Sequence, residues 1–365
     1  MPQQSLEKKA ARHFPCESCG ADLEFHIGAQ RLKCPYCTFE KDLAPPPKDV
    51  SENELNQVLE RLNKTCRTVA EAANAGRKEV VCGGCGATAV FEGSLATSEC
   101  AYCSLAIQLS DAHMAPERLV VDGVLSFAIE RGHAHAQLVR WVKSRWFAPN
   151  AFKEKGISGK FQGVYLPFFT FDAMTYSQYT GERGDNYTTT EGTGKNRRTV
   201  TRIRWQSASG ALQIFFDDVL VCAIKNLPEK LVLGLEPWPL EKLGGFQAEM
   251  LSGYQSRVYE VDLPEAFATG QARIDDEIRS AVRRDIGGDH QRIHSLSTDY
   301  SALKYKHVLL PVWMLSYRFT EKVFQIVVNA QTGEVQGERP WSWVKIGLAV
   351  VTAASLVGIG IYFAN

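Results

Sequence analysis

The middle of the chain alternates between helical and strand patterns, as is typical of a mixed α+β domain. Apolar residues recur at helical spacing over residues 126–146 and 264–286, so we predict helices there. Apolar and aromatic residues run together, or alternate with charged ones, in the segments that we predict as strands: 161–175, 199–205, 211–223, 307–320 and 323–329. The pattern therefore predicts one α+β domain over residues 109–338.

Two short strings within these predicted strands are alike. Residues 166–169 read LPFF and residues 310–313 read LPVW. They could mark an internal duplication, although apolar strings of this length also match by chance. The sequence leaves both interpretations open.

A long uncharged stretch lies close to the C-terminus, at residues 346–363. As a helix it would be about 27 Å long, which is close to the thickness of a bilayer core. The alternative is a buried core helix. Arg339 and Lys345 precede the stretch, so the positive-inside rule places the bulk of the chain in the cytoplasm. We predict a tail anchor at 341–365 and a single-pass location in a bacterial cytoplasmic (inner) membrane.

The segment before the α+β domain has a linker of its own. A proline run at 45–47 stiffens the chain, and Ser51 and Glu54 have the spacing of a capping box. Apolar positions at helical spacing follow. Residues 42–78 are therefore predicted to be a Pro-rich linker followed by a helix.

Eight cysteines form four Cys-x-x-Cys pairs, and these pairs form two clusters of identical spacing. Each cysteine of the first cluster has a counterpart 66 positions later. Two such pairs on facing hairpins can bring four thiolates to one tetrahedral zinc ion. We predict a zinc ribbon at 12–41 and another at 79–108, with two Zn ions per chain. The predicted metal ligands are Cys16, Cys19, Cys34 and Cys37 in the first ribbon, and Cys82, Cys85, Cys100 and Cys103 in the second.

A disulfide framework is the alternative for these cysteines. The first eleven residues are polar and charged, without the apolar stretch of a signal peptide. A cytoplasmic chain keeps its thiols reduced, and there Cys-x-x-Cys indicates a metal or redox site. Cys66 and Cys222 have no such partners and are expected to be ordinary thiols.

The charge of the whole chain is balanced, with 41 basic and 41 acidic residues. This balance gives no general reason to expect a polyanionic partner. One local cluster is basic and lies beside Trp205: Lys195, Arg197, Arg198, Arg202 and Arg204. It could bind nucleic acid, contact anionic lipid, or be an ordinary solvated hairpin. The charged residues of the second ribbon are all acidic, which disfavours nucleic acid.

The sequence contains no complete catalytic motif. The stretch 189–196 resembles a phosphate-binding loop but lacks its first glycine and the final hydroxyl residue. Residues 156–160 resemble a nucleophile elbow, but Lys160 stands where the last glycine would be. We therefore predict no catalytic residues and a protein that is not an enzyme.

Several strings occur in a specific order after the two predicted ribbons. They are WFAP at 146–149, GVYLPFFTFDA at 163–173, YTGERG at 179–184, LLPVWM at 309–314 and NAQTG at 329–333. With the C-terminal helix, this order resembles the bacterial membrane proteins described as TFIIB-type zinc ribbon-containing, some of which are labelled primosomal protein N′-like. The resemblance implies an association with phage-shock-type and band-7-like membrane stress proteins. It implies no catalytic residue, and only the eight cysteines carry over.

Together these observations predict an α+β protein with two small four-cysteine zinc ribbons, a cytoplasmic α+β domain and one C-terminal transmembrane helix. The predicted function is that of a non-enzymatic, membrane-anchored adaptor for protein–protein interaction in membrane stress or membrane organisation. Its expected partners are other membrane-associated proteins, with lipid contacted through the C-terminal helix. The alternative is a membrane-tethered zinc-ribbon regulator that binds nucleic acid, and the oligomeric state is left open.

Overall fold

The computed structural model describes residues 14–43, 50–68, 78–81, 88–91, 97–99, 106–108, 113–114, 119–158, 160–192, 197–225, 227–319 and 322–364. The helices are α1 (Leu55–Thr68), α2 (Arg131–Ser144), α3 (Asn150–Ser158), α4 (Glu229–Leu233), α5 (Leu263–Ile286) and α6 (Trp343–Ala364). The first nine strands are short: β1 (Glu24–His26), β2 (Arg31–Lys33), β3 (Glu40–Lys41), β4 (Asn53–Glu54), β5 (Lys78–Val81), β6 (Thr88–Phe91), β7 (Thr97–Glu99), β8 (Ala106–Gln108) and β9 (His113–Met114). The remaining strands are β10 (Gly123–Val124), β11 (Lys160–Glu191), β12 (Arg198–Cys222), β13 (Gly244–Gly245), β14 (Gln255–Ser256), β15 (His290–Phe319), β16 (Lys322–Asn329) and β17 (Val335–Gly337).

Three long strands form the centre of the main sheet. The order along this sheet is β12-β11-β15-β10-β13, and β16, β17, β14 and β4 join it at its sides. Side chains alternate between the two faces of a strand. The side chains of Tyr165 and Phe171 therefore lie on the face covered by α2 and α5. Those of Leu166 and Phe168 lie on the opposite face and contact the apolar segment 224–243.

The two similar strings of the sequence lie side by side in this sheet. Leu166 pairs with Leu310, and Pro167 pairs with Leu309, in the antiparallel ladder between β11 and β15. An approximate two-fold axis therefore passes between Leu166 and Leu310.

Hydrogen bonds around this axis repeat as well. The N–H of Ala223 donates to Pro167 O at 3.0 Å, and the N–H of Ala330 donates to Pro311 O at 3.2 Å. β14 joins β11 in parallel and leads into α5, just as β10 joins β15 in parallel and leads into α2. These correspondences support the internal duplication that the short strings only suggested.

The hairpin of β11 and β12 extends well beyond the core. β15 accompanies it as far as the pair Gly184–His290. The last part consists of residues 185–191 and 198–204, which we call the arm tip, and these pair only with each other among the described strands. At about 3.3 Å per residue the tip projects roughly 23 Å.

The structure corrects several predicted elements. Asn53 and Glu54 are not part of a capping box but form β4, which pairs with β15, while Glu52 pairs with Lys304 at 2.8 Å. The strands predicted at 199–205 and 211–223 are one continuous strand, β12. The helices predicted at 126–146 and 264–286 are confirmed as α2 and α5, and the pairing of the last two predicted strands is confirmed as β15 with β16.

The predicted fold class is wrong in its proportion of helix to strand and in its C-terminal transmembrane helix. β-Sheet predominates, because the three long strands continue well beyond the segments that were predicted as strands. Positive φ angles of 52° at Asp218 and 50° at Ala302 accompany irregularities in the ladder, which let long strands bend without ending.

The predicted membrane anchor is corrected too. The helix forms as α6, but no helix in the described part of the chain has the length and apolar character needed to cross a membrane. The tail anchor at 341–365, the single-pass location in an inner membrane and the lipid contact through this helix are therefore not retained.

Candidate metal centre

Two tight turns position the cysteines of the first cluster. An isolated bridge between Pro15 and Asp22 closes the turn that carries Cys16 and Cys19, and the β2–β3 pairing closes the turn that carries Cys34 and Cys37. Both turns need a left-handed residue just after their second cysteine: Gly20 has a φ of 76° and Thr38 a φ of 63°. Glycine adopts this conformation at little cost.

The four sulfur atoms of this cluster converge. All of them lie within 4.8 Å of one another. Cys16 Sγ is 3.4 Å from Cys37 Sγ, and Cys19 Sγ is 3.5 Å from Cys34 Sγ. A tetrahedral zinc site with bonds of about 2.3 Å requires sulfur–sulfur separations of about 3.8 Å. The cluster is therefore close enough to bind one metal ion.

The cluster also favours thiolate at specific positions. The Cys37 backbone N–H donates to the Cys34 sulfur and lowers the pKa of Cys34 to about 7. The Phe39 N–H favours thiolate at Cys37, but the neighbouring sulfur atoms outweigh it and raise the pKa of Cys37 to about 12. The sulfurs thus share protons, and a cation that replaces those protons would hold all four as thiolates.

The described residues around the first cluster, 14–43, which we call ribbon 1, are joined to the main sheet domain. The Phe25 N–H donates to Ser252 O at 3.0 Å, Ser252 Oγ donates to Leu23 O at 2.5 Å, and Tyr254 OH donates to Phe25 O at 3.4 Å. Leu23 and Phe25 are buried in the same apolar cluster as Phe127. Ribbon 1 is therefore part of the core and not an independent module on a linker.

A cavity of about 480 Å³ lies between ribbon 1 and the segment 247–249. Its apolar lining includes Leu23 and Leu32 of ribbon 1, and its polar lining includes Lys41 and Glu249. Because these residues come from both sides of the junction, the shape of the cavity depends on the ribbon being folded.

The predicted ligands of the second cluster, Cys82, Cys85, Cys100 and Cys103, lie outside the described residues. The strands around them are described and repeat the pairing of ribbon 1. Pro15 pairs with Asp22 and Val81 with Thr88, while Lys33 pairs with Glu40 and Glu99 with Ala106. Every residue of the second set lies 66 positions after its counterpart, so the hairpins that frame the two clusters correspond residue by residue.

Arg198, Arg202 and Arg204 of the basic cluster lie on the arm tip. Arg197 is exposed just before it, and Lys195 is outside the described residues. Arg202 forms an ion pair with Glu191, and Arg198 lies 3.7 Å from the same carboxylate. The Arg204 guanidinium stacks over Tyr187, 5.1 Å from the ring centre. Strand pairing, which the sequence pattern does not specify, creates these contacts.

Trp205 takes part in a contact that the sequence did not indicate. The guanidinium of Arg292, on β15, lies 3.9 Å from the centre of its ring. Arg292 is 87 positions away in the chain, so only the three-strand ladder could reveal this pair.

An acidic group on the main sheet also has metal-like geometry. Asp172, Asp217 and Asp218 place carboxylate oxygens within 4.8 Å of one another. Lys306 Nζ lies 2.6 Å from Asp218 and 3.8 Å from Asp172, so its ammonium group supplies the positive charge there.

Cys222 matches the prediction of an ordinary thiol. Burial raises the pKa of Cys222 to about 12, so the group stays protonated and unreactive. The side chain of Cys66 is outside the described set.

Comparison with known proteins adds little to this site. No known family profile matches the sequence, and no solved structure matches it. The chain is 25% identical over 339 residues to a Bacillus subtilis (strain 168) protein described as "Uncharacterized protein YdjG", and the match covers 91% of each chain.

Proposed function

We propose that this protein is a non-enzymatic adaptor in which zinc ribbons present a protein-binding surface. The observation that carries the proposal is the convergence of four cysteine sulfurs in ribbon 1. Four protein ligands complete a tetrahedral zinc site, whereas catalytic zinc sites keep one position open for water or substrate. A closed site is structural, and its role is to hold a surface in shape.

We further propose that the chain binds two zinc ions. Cys16, Cys19, Cys34 and Cys37 would hold the first, and Cys82, Cys85, Cys100 and Cys103 the second. The support is the shared offset of 66 positions in both the cysteines and the strand pairs that frame them. Zinc is favoured over other metals because an all-thiolate tetrahedral set suits it.

Ribbon 1 offers a contact surface for a protein partner. The cavity beside it is open enough to accept an apolar side chain, and Lys41 and Glu249 at its lining can bind a polar group. Metal loss would unfold ribbon 1, so partner binding at this surface would depend on zinc.

The zinc part of the proposal is tested by metal analysis of purified full-length protein. We expect two zinc ions in the wild type and one in either Cys34→Ser or Cys100→Ser. Cys222→Ala is the matched control, because it removes a buried thiol outside both clusters and should leave two ions. A wild-type protein that binds one zinc or none would contradict the two-site proposal.

The adaptor part is tested by proximity labelling in cells. The labelled set of the wild type is compared with those of Cys34→Ser, Cys82→Ser/Cys85→Ser and the Cys222→Ala control. We expect specific proteins to be lost in the cluster variants and kept in the control. Identical labelled sets in all four would refute a zinc-dependent adaptor.

Nucleic-acid binding is the second candidate function, and one observation favours it. The arm tip is a protruding two-stranded ribbon, a shape that a major groove admits, and it carries arginines beside aromatic rings. The Glu191 carboxylate already neutralises part of this charge, which is why we rank it second.

A salt titration separates the two candidates. Under the adaptor proposal, nucleic-acid affinity at physiological salt should be no tighter than about 10⁻⁴ M, and Arg202→Gln/Arg204→Gln should not change it. Tight, salt-sensitive binding that this double variant abolishes would favour the regulator instead.

A further inference from the structure

One edge of the main sheet has no partner strand among the described residues. β12 is the outermost strand, and over residues 198–216 its outer side pairs with no strand in the described part of the chain. Near its end the edge is covered, because Arg273 donates to Leu220 O. Proteins usually protect such edges with charges, bulges or proline. Residues 206–216 have none of these.

The faces of this edge strand are known from its contacts. Even-numbered residues such as Leu212 and Ile214 pack with α5. Odd-numbered residues therefore lie on the opposite face, where Phe215 is 55% exposed and Ile203 is 40% exposed. Around the middle of the strand this face carries only small or polar side chains, namely Ser207, Ser209, Ala211 and Gln213.

The centre of the strand is Gly210, which has little room for a side chain. The hydroxyl of Tyr179 lies 2.7 Å from the position that a Cβ at Gly210 would occupy. The ring of Tyr179 thus covers the glycine from the α5 side, and the strand continues through this point without a break.

Residues at equal distances before and after Gly210 match one another, as two antiparallel copies of the strand would require. Trp205 and Phe215 lie five positions before and after Gly210, on the same face. In an antiparallel pairing centred on Gly210, the aromatic residue of one copy would therefore meet the aromatic residue of the other.

We propose that two copies of this chain pair antiparallel along β12, about a two-fold axis at Gly210, and so continue the sheet from one copy into the other. Trp205 of each copy then lies opposite Phe215 of the other. The pairing gives partners to the backbone groups of the edge, which pair with no described strand, and covers the exposed Phe215. This interface goes beyond the proposed adaptor function and does not depend on zinc.

Engineered cysteines in the full-length chain test both the pairing and its register. In the proposed register Ser209 lies directly opposite Ala211 of the other copy, at a separation that a disulfide can bridge. We expect Ser209→Cys/Ala211→Cys to give a covalent dimer after mild oxidation with diamide. The matched control Ser207→Cys/Ala211→Cys places its cysteines out of register and should give no more dimer than the wild type.

A second measurement keeps the proposal falsifiable if oxidation disturbs the native cysteines. Sedimentation velocity of the full-length chain should show a concentration-dependent dimer, and Phe215→Glu should weaken it by at least tenfold. Gln178→Glu is the control, because it adds the same charge on the same face of β11 but away from the edge.

Three outcomes would overturn the proposal: a wild type that is monomeric at all concentrations, equal cross-linking of the two cysteine pairs, or equal weakening by Phe215→Glu and Gln178→Glu. A monomer that cross-links through position 211 only to a different protein would overturn it as well, in favour of strand addition by that partner.

Discussion

Replacement of Asn329 by alanine should destabilise the protein more than any single exposed substitution. Asn329 is fully buried at the end of β16. Its Nδ2 donates to Leu235 O at 2.8 Å, and its Oδ1 accepts from the N–H groups of Gln331 at 2.8 Å and Thr332 at 3.2 Å. The side chain therefore joins the segment 224–243 to the turn that precedes β17.

The expected loss of unfolding free energy follows from these three hydrogen bonds. Each contributes about 1 kcal/mol net, so Asn329→Ala should reduce the free energy of unfolding by about 3 kcal/mol. In a domain of this size 1 kcal/mol changes the melting temperature by about 2–4 °C. We therefore expect the melting temperature to fall by roughly 6–12 °C.

Thermal unfolding followed by circular dichroism measures this change on zinc-loaded protein. Asn186→Ala is the control, because Asn186 is exposed on the arm tip and its Oδ1 lies 3.0 Å from His290 Nε2. That control should change stability by no more than about 0.5 kcal/mol. If Asn329→Ala and Asn186→Ala shift the melting temperature equally, the reasoning from buried hydrogen bonds is refuted.

Three further predictions concern packing, a buried charge and the metal. Gly163→Ala should cost about 1–3 kcal/mol in urea unfolding, because the new Cβ would lie 2.5 Å from the ring of Tyr254, and a stability equal to wild type would contradict this contact. Lys306→Met should cost about 3 kcal/mol at pH 7, because it leaves Asp172 and Asp218 without their cation. Burial raises the pKa of Asp172, so the destabilisation by Lys306→Met should become smaller as the pH falls and this carboxyl takes up a proton. An equal destabilisation at about pH 7 and about pH 5 would argue against the unpaired carboxylates as its cause. Chelation of zinc should alter the near-ultraviolet circular dichroism through Tyr254, which donates to ribbon 1, and an unchanged spectrum would show that the metal does not hold the ribbon in place.

The arm illustrates where the sequence pattern misleads. Residues 206–210 read QSASG, a small and polar string that indicates a loop between two strands. In the structure β12 continues through it, because β11 pairs with every one of these residues and Tyr179 covers Gly210. A contact between residues 31 positions apart in the chain overrides the local preference.

At the start of α1, too, pairing with a distant strand overrides a local sequence signal. Ser51 and Glu54 have capping-box spacing. In the structure, however, Asn53 and Glu54 form a short strand that pairs with β15, and Lys304 forms an ion pair with Glu52. The local cap contributes about 1 kcal/mol, and strand pairing with an ion pair competes with it successfully.

The C-terminal stretch was identified as a helix correctly and assigned to a membrane incorrectly. Helical structure depends on neighbours within one turn, so sequence indicates it well. The function of an apolar helix depends on its length and its surroundings, and no described helix meets the requirement for a membrane span.

The sequence by itself determined which four cysteines come together in the first cluster, and it determined the two main helices. Cysteine spacing and tight turns act over a few residues, so the spacing alone was enough to group Cys16, Cys19, Cys34 and Cys37. Only the tertiary structure decided that ribbon 1 belongs to the core, that three strands run for 25 to 32 residues, and that β12 lies at the edge of the described sheet. These features arise from pairings between distant segments, and their free energy appears only once the sheet brings those segments together.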